Sequence, residues 1–191
     1  LIPVVLGAVM IGPLAGTLLG FIFGVVVAVC GITGFDAWTF LLFSEQPVLT
    51  VLLCLVKGTA AGAAAGLLYK AIARKNRYVG VIVASLAAPV VNTGIFVAGA
   101  FLMSGAIESV MAATNVAAGT SLVYYVIIGL AGVNFLIEFA INAVASPAIY
   151  RVAELFGNRR RARTGGNVEL EKQPSHPTDA AITPATEKSD K

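Results

Sequence analysis

Long apolar runs separated by short polar breaks dominate the first 150 residues of the chain. A helix needs about 20 apolar residues, at ~1.5 Å each, to cross a hydrocarbon core of roughly 30 Å. Four runs satisfy this requirement: residues 14–31, 47–70, 79–104 and 119–150. The pattern therefore predicts four membrane-spanning helices and no soluble domain among them.

A shorter apolar run, Ile2–Ile11, precedes Gly12 and Pro13. At roughly 15 Å it is too short to cross the membrane alone. It is either the first part of one long helix kinked at Pro13, or the end of a helix whose beginning is missing, joined to the next helix by a tight Gly-Pro turn. Because the sequence starts at Leu1 and not at methionine, we expect an N-terminal truncation. If Ile2–Ile11 ends one span and a further helix is missing before it, there would be six spans.

Charged residues are scarce and unevenly distributed. They make up 12% of the chain, whereas 58% is hydrophobic; a soluble domain has about 25% charged residues. This excludes a soluble globular protein and, despite the net charge of +3, a nucleic-acid binder. Basic residues cluster at 70–78 and after Tyr150, whereas the loops at 32–46 and 105–118 carry only acidic charges. Because cytoplasmic loops are enriched in Lys and Arg, we expect a multi-pass membrane protein with a cytoplasmic C-terminus.

The C-terminal segment differs from the rest in composition. It is rich in Pro, Thr, Ala and charge, has no apolar period, and contains the only histidine, His176. Such a composition predicts disorder. We therefore expect two parts: a transmembrane helix bundle at 1–152 and a disordered polar cytoplasmic tail at 153–191.

Small residues recur every four positions on the first two spans, which permits close approach of helix backbones in lipid. The two stripes are Gly16, Gly20 and Gly24 on the first span and Gly58, Gly62 and Gly66 on the second. Two interpretations are open. The stripes pack against other helices of this chain, or the first one offers a sliding surface to another membrane protein.

Polar residues inside the spans are costly in hydrocarbon and usually face the interior or a cavity. Helix geometry predicts that four of them converge at a common depth: Lys57, Asn92, Asn134 and Glu138. One interpretation is a buried ion pair between Lys57 and Glu138, bridged by the asparagines. The other is a polar pocket open to the outside, where Lys57 meets an anionic group and the amides orient a heterocycle. Trp38, in the loop at 32–46, is then either part of a lid or an interfacial anchor.

The chemistry of hydrolases and ATPases is missing from the sequence. The spans contain no serine–histidine pair, no His/Cys metal cluster and no phosphate-binding loop. The sequence thus predicts no enzymatic activity, no cofactor and no metal, and leaves binding and translocation.

Four segments together resemble the substrate-binding S component of an energy-coupling factor (ECF) vitamin transporter. They are IGPLAGTLLGFIFG (Ile11–Gly24), KGTAAGAAAGLLYK (Lys57–Lys70), APVVNTGIF (Ala88–Phe96) and NFLIEFAINAVASPAIYR (Asn134–Arg151). The resemblance covers roughly residues 1–152. It implies an all-α, six-helix membrane bundle without enzymatic activity, whose first helix is absent from this sequence.

The resemblance also implies a role and partners. Such a component captures a vitamin or related micronutrient for an ABC-type importer and works with an ECF transmembrane coupling protein and two cytoplasmic ATPases. The family's contact with the coupling protein maps onto Gly16, Gly20 and Gly24, and its substrate site maps onto Lys57, Asn92, Asn134 and Glu138. The alternatives are a stand-alone secondary transporter that couples to an ion through Glu138, and a membrane scaffold that packs other proteins through its glycines.

Overall fold

The structure is a computed structural model that describes residues 1–116 and 119–171, with side chains described as far as Gly157. Within these residues the chain is helical and contains no strand. The helices are α1 (Ile2–Met10), α2 (Pro13–Ile32), α3 (Ala37–Glu45), α4 (Pro47–Ile72), α5 (Arg77–Leu102), α6 (Ser104–Ala113), α7 (Leu122–Tyr124), a π-helical stretch (Tyr125–Gly132) and α8 (Val133–Glu171). The prediction of an all-α bundle is confirmed.

Four of these segments are long and apolar enough to cross a membrane: α2, α4, α5 and the continuous segment Leu122–Gly157. They coincide with the four predicted spans. Most of their surface is not covered by other helices, and many large apolar side chains are exposed, among them Leu14, Leu18 and Leu136. This distribution is the one expected of helices whose outer faces contact lipid tails.

The opening segment is a separate helix. The interpretation with a Gly-Pro turn is therefore correct, and the interpretation as one long helix kinked at Pro13 is wrong. The α1 helix ends at Met10, and α2 begins at Pro13. Between them Gly12 has φ of +133°, which is easy for glycine because it has no Cβ. Pro13 then occupies the first turn of α2, where its missing N–H costs nothing. The turn allows α1 to pack against α2, α4 and α5.

The two glycine stripes face each other across α2 and α4 and form what we call the glycine seam. A Cβ placed on Gly24 would lie 2.5 Å from the carbonyl oxygen of Cys54, and one placed on Gly20 would collide with the carbonyl oxygen of Gly58. Gly16 meets Gly62 in the same way. The backbones are therefore as close as two helices can be, and only glycine fits between them.

This packing corrects the expectation that Gly16, Gly20 and Gly24 meet a coupling protein. All three are buried against α4 of the same chain. Four-residue glycine spacing indicates that some helix approaches closely, and here that helix is the chain's own. The interpretation of packing within the chain is the correct one.

Two clusters of buried side chains lie near opposite ends of α5. One gathers α1 with the Arg77 end of α5 and includes Val5, Ala8, Ala65, Val81 and Ala84. The other gathers α3, α6 and the π-helical stretch at the Leu102 end and includes Leu42, Ala100, Ile107, Tyr125 and Val126. The middle of α5, around Asn92, lies between the two clusters.

The last helix runs further than expected. Residues 153–171 were predicted to belong to a disordered tail, but α8 continues to Glu171. The chain divides into two compact units at Phe156–Gly157, close to the predicted boundary at 152. The rest of the predicted tail, residues 172–191 with His176, lies outside the described residues.

Candidate binding site

A cavity of about 220 Å³ lies within the bundle, between the two buried clusters. Its polar lining residues are Asp36, Thr39, Lys57, Asn92, Thr93, Asn134 and Glu138, and its aromatic ones are Phe23, Trp38 and Phe96. Val27, Leu42, Leu130 and Ala131 complete the wall. The structure thus brings together all five residues predicted to bind substrate, although they come from four different helices. We call this space the polar cavity.

The helical period explains why these side chains meet. Asn134 and Glu138 are four residues apart on α8, so they share one face of that helix. Asn92 and Phe96 have the same spacing on α5. Lys57 lies ten residues after the start of α4, near its middle. Lys57 and Asn92 therefore lie near the middle of their helices, and Asn134 and Glu138 lie near the middle of the continuous span Leu122–Gly157.

Asn92 and Glu138 form the only side-chain hydrogen bond between lining residues of different helices in the described part of the chain. The Asn92 Nδ2 donates to Glu138 Oε2 at 3.3 Å. Asn92 is only 3% exposed, and its Oδ1 is buried without a hydrogen-bond partner among the described residues. Burying an acceptor without a partner destabilises a protein by about 1–3 kcal/mol. Thr50, Ser85, Tyr125 and Asn142 each have such an atom outside the cavity lining, so the Oδ1 of Asn92 does not by itself mark a ligand site.

Lys57 has a different partner from the one expected. Its Nζ lies 5.1 Å from the centroid of the Phe96 ring, within range of a cation–π interaction. No carboxylate oxygen of the described residues lies within 4.0 Å of this nitrogen. Of the two interpretations, the buried ion pair between Lys57 and Glu138 is thus wrong for this structure, and neither charge has a partner of opposite sign within 4.0 Å among the described residues.

One side of the cavity is formed by α3, which is fixed by its N-terminal cap. Asp36 accepts hydrogen bonds from the Trp38 amide at 3.2 Å and the Thr39 amide at 3.4 Å, and the Thr39 hydroxyl donates to its Oδ2 at 2.5 Å. Such a cap stabilises a helix start by about 1 kcal/mol. The carboxylate of Asp36 lines the cavity but is engaged with its own helix.

Trp38 was predicted to be either a lid or an interfacial anchor. Its ring lines the cavity and packs edge-on against Tyr125 with 5.9 Å between centroids, while 42% of the residue remains exposed. It therefore connects α3 to the π-helical stretch. This contact and the position on the cavity wall favour the lid.

The π-helical stretch precedes Asn134 directly and contributes Leu130 and Ala131 to the cavity wall. Its backbone makes i→i+5 hydrogen bonds, a rare geometry that is frequently found at functional sites. Because each π turn contains more residues than an α turn, the stretch sets the direction in which Asn134 and Glu138 point. The apolar periodicity of the sequence gave no sign of it.

Sequence reasoning also missed Thr39 and Phe96. Both had a signal: Thr39 follows Asp36 by three residues, which is typical of a helix cap, and Phe96 follows Asn92 by four and so shares its face. As for metals, the part of the chain that the structure describes has no group of three or more His, Cys, Asp or Glu side chains placed to hold an ion. The cavity offers hydrogen bonds, one cation, carboxylates and aromatic faces, which are the means of binding a solute.

The fold and the cavity together define a class: a polytopic helical membrane protein that binds a solute within its bundle. Over residues 1–150 the chain matches the family of ECF transporter substrate-specific components, and it belongs to that family. The protein is thus a membrane-embedded substrate-specific subunit of an ECF-type importer, a binding subunit of a transport system. Searches of curated proteins and of solved structures returned no match to the chain.

Proposed function

We propose that the protein captures a vitamin or related micronutrient in the polar cavity, with Lys57, Asn92, Asn134, Glu138 and Trp38 as its contacts. The observation that carries this proposal is the pair of charged side chains in the wall of the cavity, Lys57 and Glu138, which have no oppositely charged partner within 4.0 Å among the described residues. A protein tolerates unpaired charges inside a bundle where a ligand supplies the partner. Family membership supports the general role of a substrate-binding subunit, and the polar cavity is the site at which we propose that the substrate binds.

Capture takes place from the outer side of the membrane. The segments 32–46 and 105–118 carry acidic charges and no basic ones, whereas the loop between α4 and α5 is basic. By the positive-inside tendency, α3 and its cap at Asp36 lie on the outer side. Since α3 walls the cavity, its movement would open the site to the outside, while the cluster that includes Val5 and Ala84 keeps the opposite end closed.

Uptake requires partners, namely an ECF coupling protein in the membrane and two cytoplasmic ATPases. The sequence has no phosphate-binding loop of its own. Because Gly16, Gly20 and Gly24 are covered by α4, the coupling protein binds elsewhere on the lipid-facing surface. Leu14 and Leu18, exposed on the other face of α2, lie on the available surface.

Native mass spectrometry of the purified full chain tests this proposal. We expect a small molecule bound at one per chain in the wild type and in Lys70→Met, and its loss in Lys57→Met. Lys70 is the matched control because it lies exposed on the same helix, away from the cavity. Equal occupancy in the two variants would contradict the assignment of the cavity. Absence of any bound molecule, together with no uptake when the coupling protein and the ATPases are co-expressed, would contradict the function.

A further inference from the structure

We propose that the polar cavity selects a small, single-ring solute that carries a cationic nitrogen at one end and an anionic group at the other. This inference rests on the proposed function, because it takes the polar cavity as the substrate site. It goes beyond that function by naming the charge pattern of the substrate.

The end of the cavity at Asn92 and Glu138 requires hydrogen-bond donors. The carboxylate of Glu138 accepts a hydrogen bond from Asn92 Nδ2 at 3.3 Å and has no cation within 4.0 Å among the described residues. An ionised carboxylate is an acceptor only and has room for further donors. A protonated nitrogen of the solute supplies them, and its hydrogen bonds to a carboxylate are strengthened by charge.

The end at Lys57 requires an acceptor. Lys57 is the sole basic residue of the cavity wall, and an ammonium group has three donors and no acceptor. The face of Phe96 attracts its charge but cannot accept three directed hydrogen bonds. A carboxylate or another anionic group on the solute supplies what the ring does not.

The two ends remain separate in the protein. Lys57 and Glu138 have no contact within 4.0 Å in the part of the chain described, although opposite charges attract strongly in a medium of low dielectric constant. The third charge on the wall, Asp36, is engaged as the cap of α3. A solute with both charges neutralises the two remaining ends at once, whereas a singly charged one leaves an ion unpaired in the bundle.

The size and walls of the cavity restrict the body of the solute. Its volume of about 220 Å³ is below the roughly 300–1,000 Å³ that is typical of pockets for drug-sized ligands. This is enough for one ring with two short substituents. Phe96 and Trp38 supply flat apolar surfaces for such a ring.

A matched set of aromatic probes tests the charge pattern on the purified full chain by calorimetric titration. The probes are the 3- and 4-isomers of (aminomethyl)benzoate, methylbenzoate and methylbenzylamine, which share one ring and differ in charge. We expect the better zwitterionic isomer to bind at least tenfold more tightly than either singly charged analogue. A singly charged probe that binds as tightly, or no binding by any probe, would overturn the inference.

Two variants locate each end. In Lys57→Met we expect the zwitterion to lose its advantage over methylbenzylamine, and in Glu138→Gln its advantage over methylbenzoate. Lys70→Met and Glu154→Gln, on the same helices but outside the cavity wall, serve as controls that retain both preferences. Thermal melting of each variant shows whether the fold is retained, and loss of both preferences in a control would count against the assignment.

The natural solute separates this inference from the function on which it rests. If mass spectrometry identifies a bound molecule with only one charged end, the charge pattern is wrong while the role in uptake stands. If the chain neither binds a solute nor supports uptake, both fail.

Discussion

The glycine seam and the polar cavity lie side by side in one bundle but are built from opposite kinds of contact. In the seam, α2 and α4 approach until their backbones touch, and no side chain fits between them. In the cavity, helices are held apart around polar groups, one of which, Asn92 Oδ1, has no partner among the described residues. Close backbone contact in the seam holds α2 and α4 together. In the cavity, Lys57 and Glu138 have no ion-pair partner among the described residues, and a solute can supply one. Substitutions in the first should therefore affect stability, and those in the second should affect binding.

The largest effect is expected from Gly20→Leu in the seam. A Cβ at this position collides with the backbone of Gly58, which cannot move without shifting α4. Overpacking usually costs about 1–3 kcal/mol, and a whole leucine against backbone should reach the upper end. The free energy of unfolding in detergent measures the effect.

The control is Gly94→Leu on α5, where the glycine is exposed and nothing lies within 4 Å of an added Cβ. We expect its stability to change by less than about 0.5 kcal/mol, as for other surface substitutions. Equal losses in the two variants would show that the seam is no closer than the rest of the bundle.

Next in size is the loss of affinity in Lys57→Met. Removing a charged hydrogen bond to the solute should weaken binding by about 1.5–3 kcal/mol. The thermal stability of the unliganded protein should stay near the wild type, since Lys57 has no carboxylate within 4.0 Å among the described residues. Calorimetric titration with the natural solute checks this, and an unchanged affinity would remove Lys57 from the site.

A smaller effect is expected from Asp36→Ala, which removes the cap of α3. The helix start should lose about 1 kcal/mol of stabilisation, and because α3 walls the cavity, the solute should dissociate faster. Asn76→Ala is the matched control, since Asn76 caps α5 through Val79 and does not line the cavity. If both variants release the solute at the same rate, α3 is not a lid.

The smallest effect is expected from Trp38→Ala. It removes the edge-on contact with Tyr125 and one flat wall of the cavity. Aromatic pairs contribute about 0.5–1.5 kcal/mol, and the affinity for the solute should fall by a similar amount. Phe35→Ala is the control, because Phe35 is 88% exposed and does not line the cavity; it should leave the affinity for the solute unchanged. If Phe35→Ala lowers the affinity as much as Trp38→Ala does, Trp38 has no specific role in the cavity wall.

Features set within a single helix could be predicted from the sequence, whereas features that depend on which helices meet could not. The spans follow from apolar length, and the meeting of Asn92, Asn134 and Glu138 follows from depth and helical period, which are local properties. The partner of the Gly16–Gly24 stripe does not follow, because the spacing indicates close approach but not which helix approaches.

Two further features depend on distances that no local pattern contains. The separation of Lys57 from Glu138 is set by how α4 and α8 are placed around α5, and the nearest attractive group turned out to be the ring of Phe96. The π-helical stretch is defined by its i→i+5 backbone hydrogen bonds, and the apolar residues of Tyr125–Gly132 are equally compatible with an ordinary α-helix. Neither feature can therefore be read from the spacing of residues along the chain.

The most direct test of the central claim is an experimental structure of the full chain with its co-purified solute. The account predicts density for a small molecule in the polar cavity, with a polar atom about 3 Å from the charged group of Lys57 or Glu138. Density for the solute on the lipid-facing surface, or an ion pair between Lys57 and Glu138 in a cavity too small for any ligand, would contradict it.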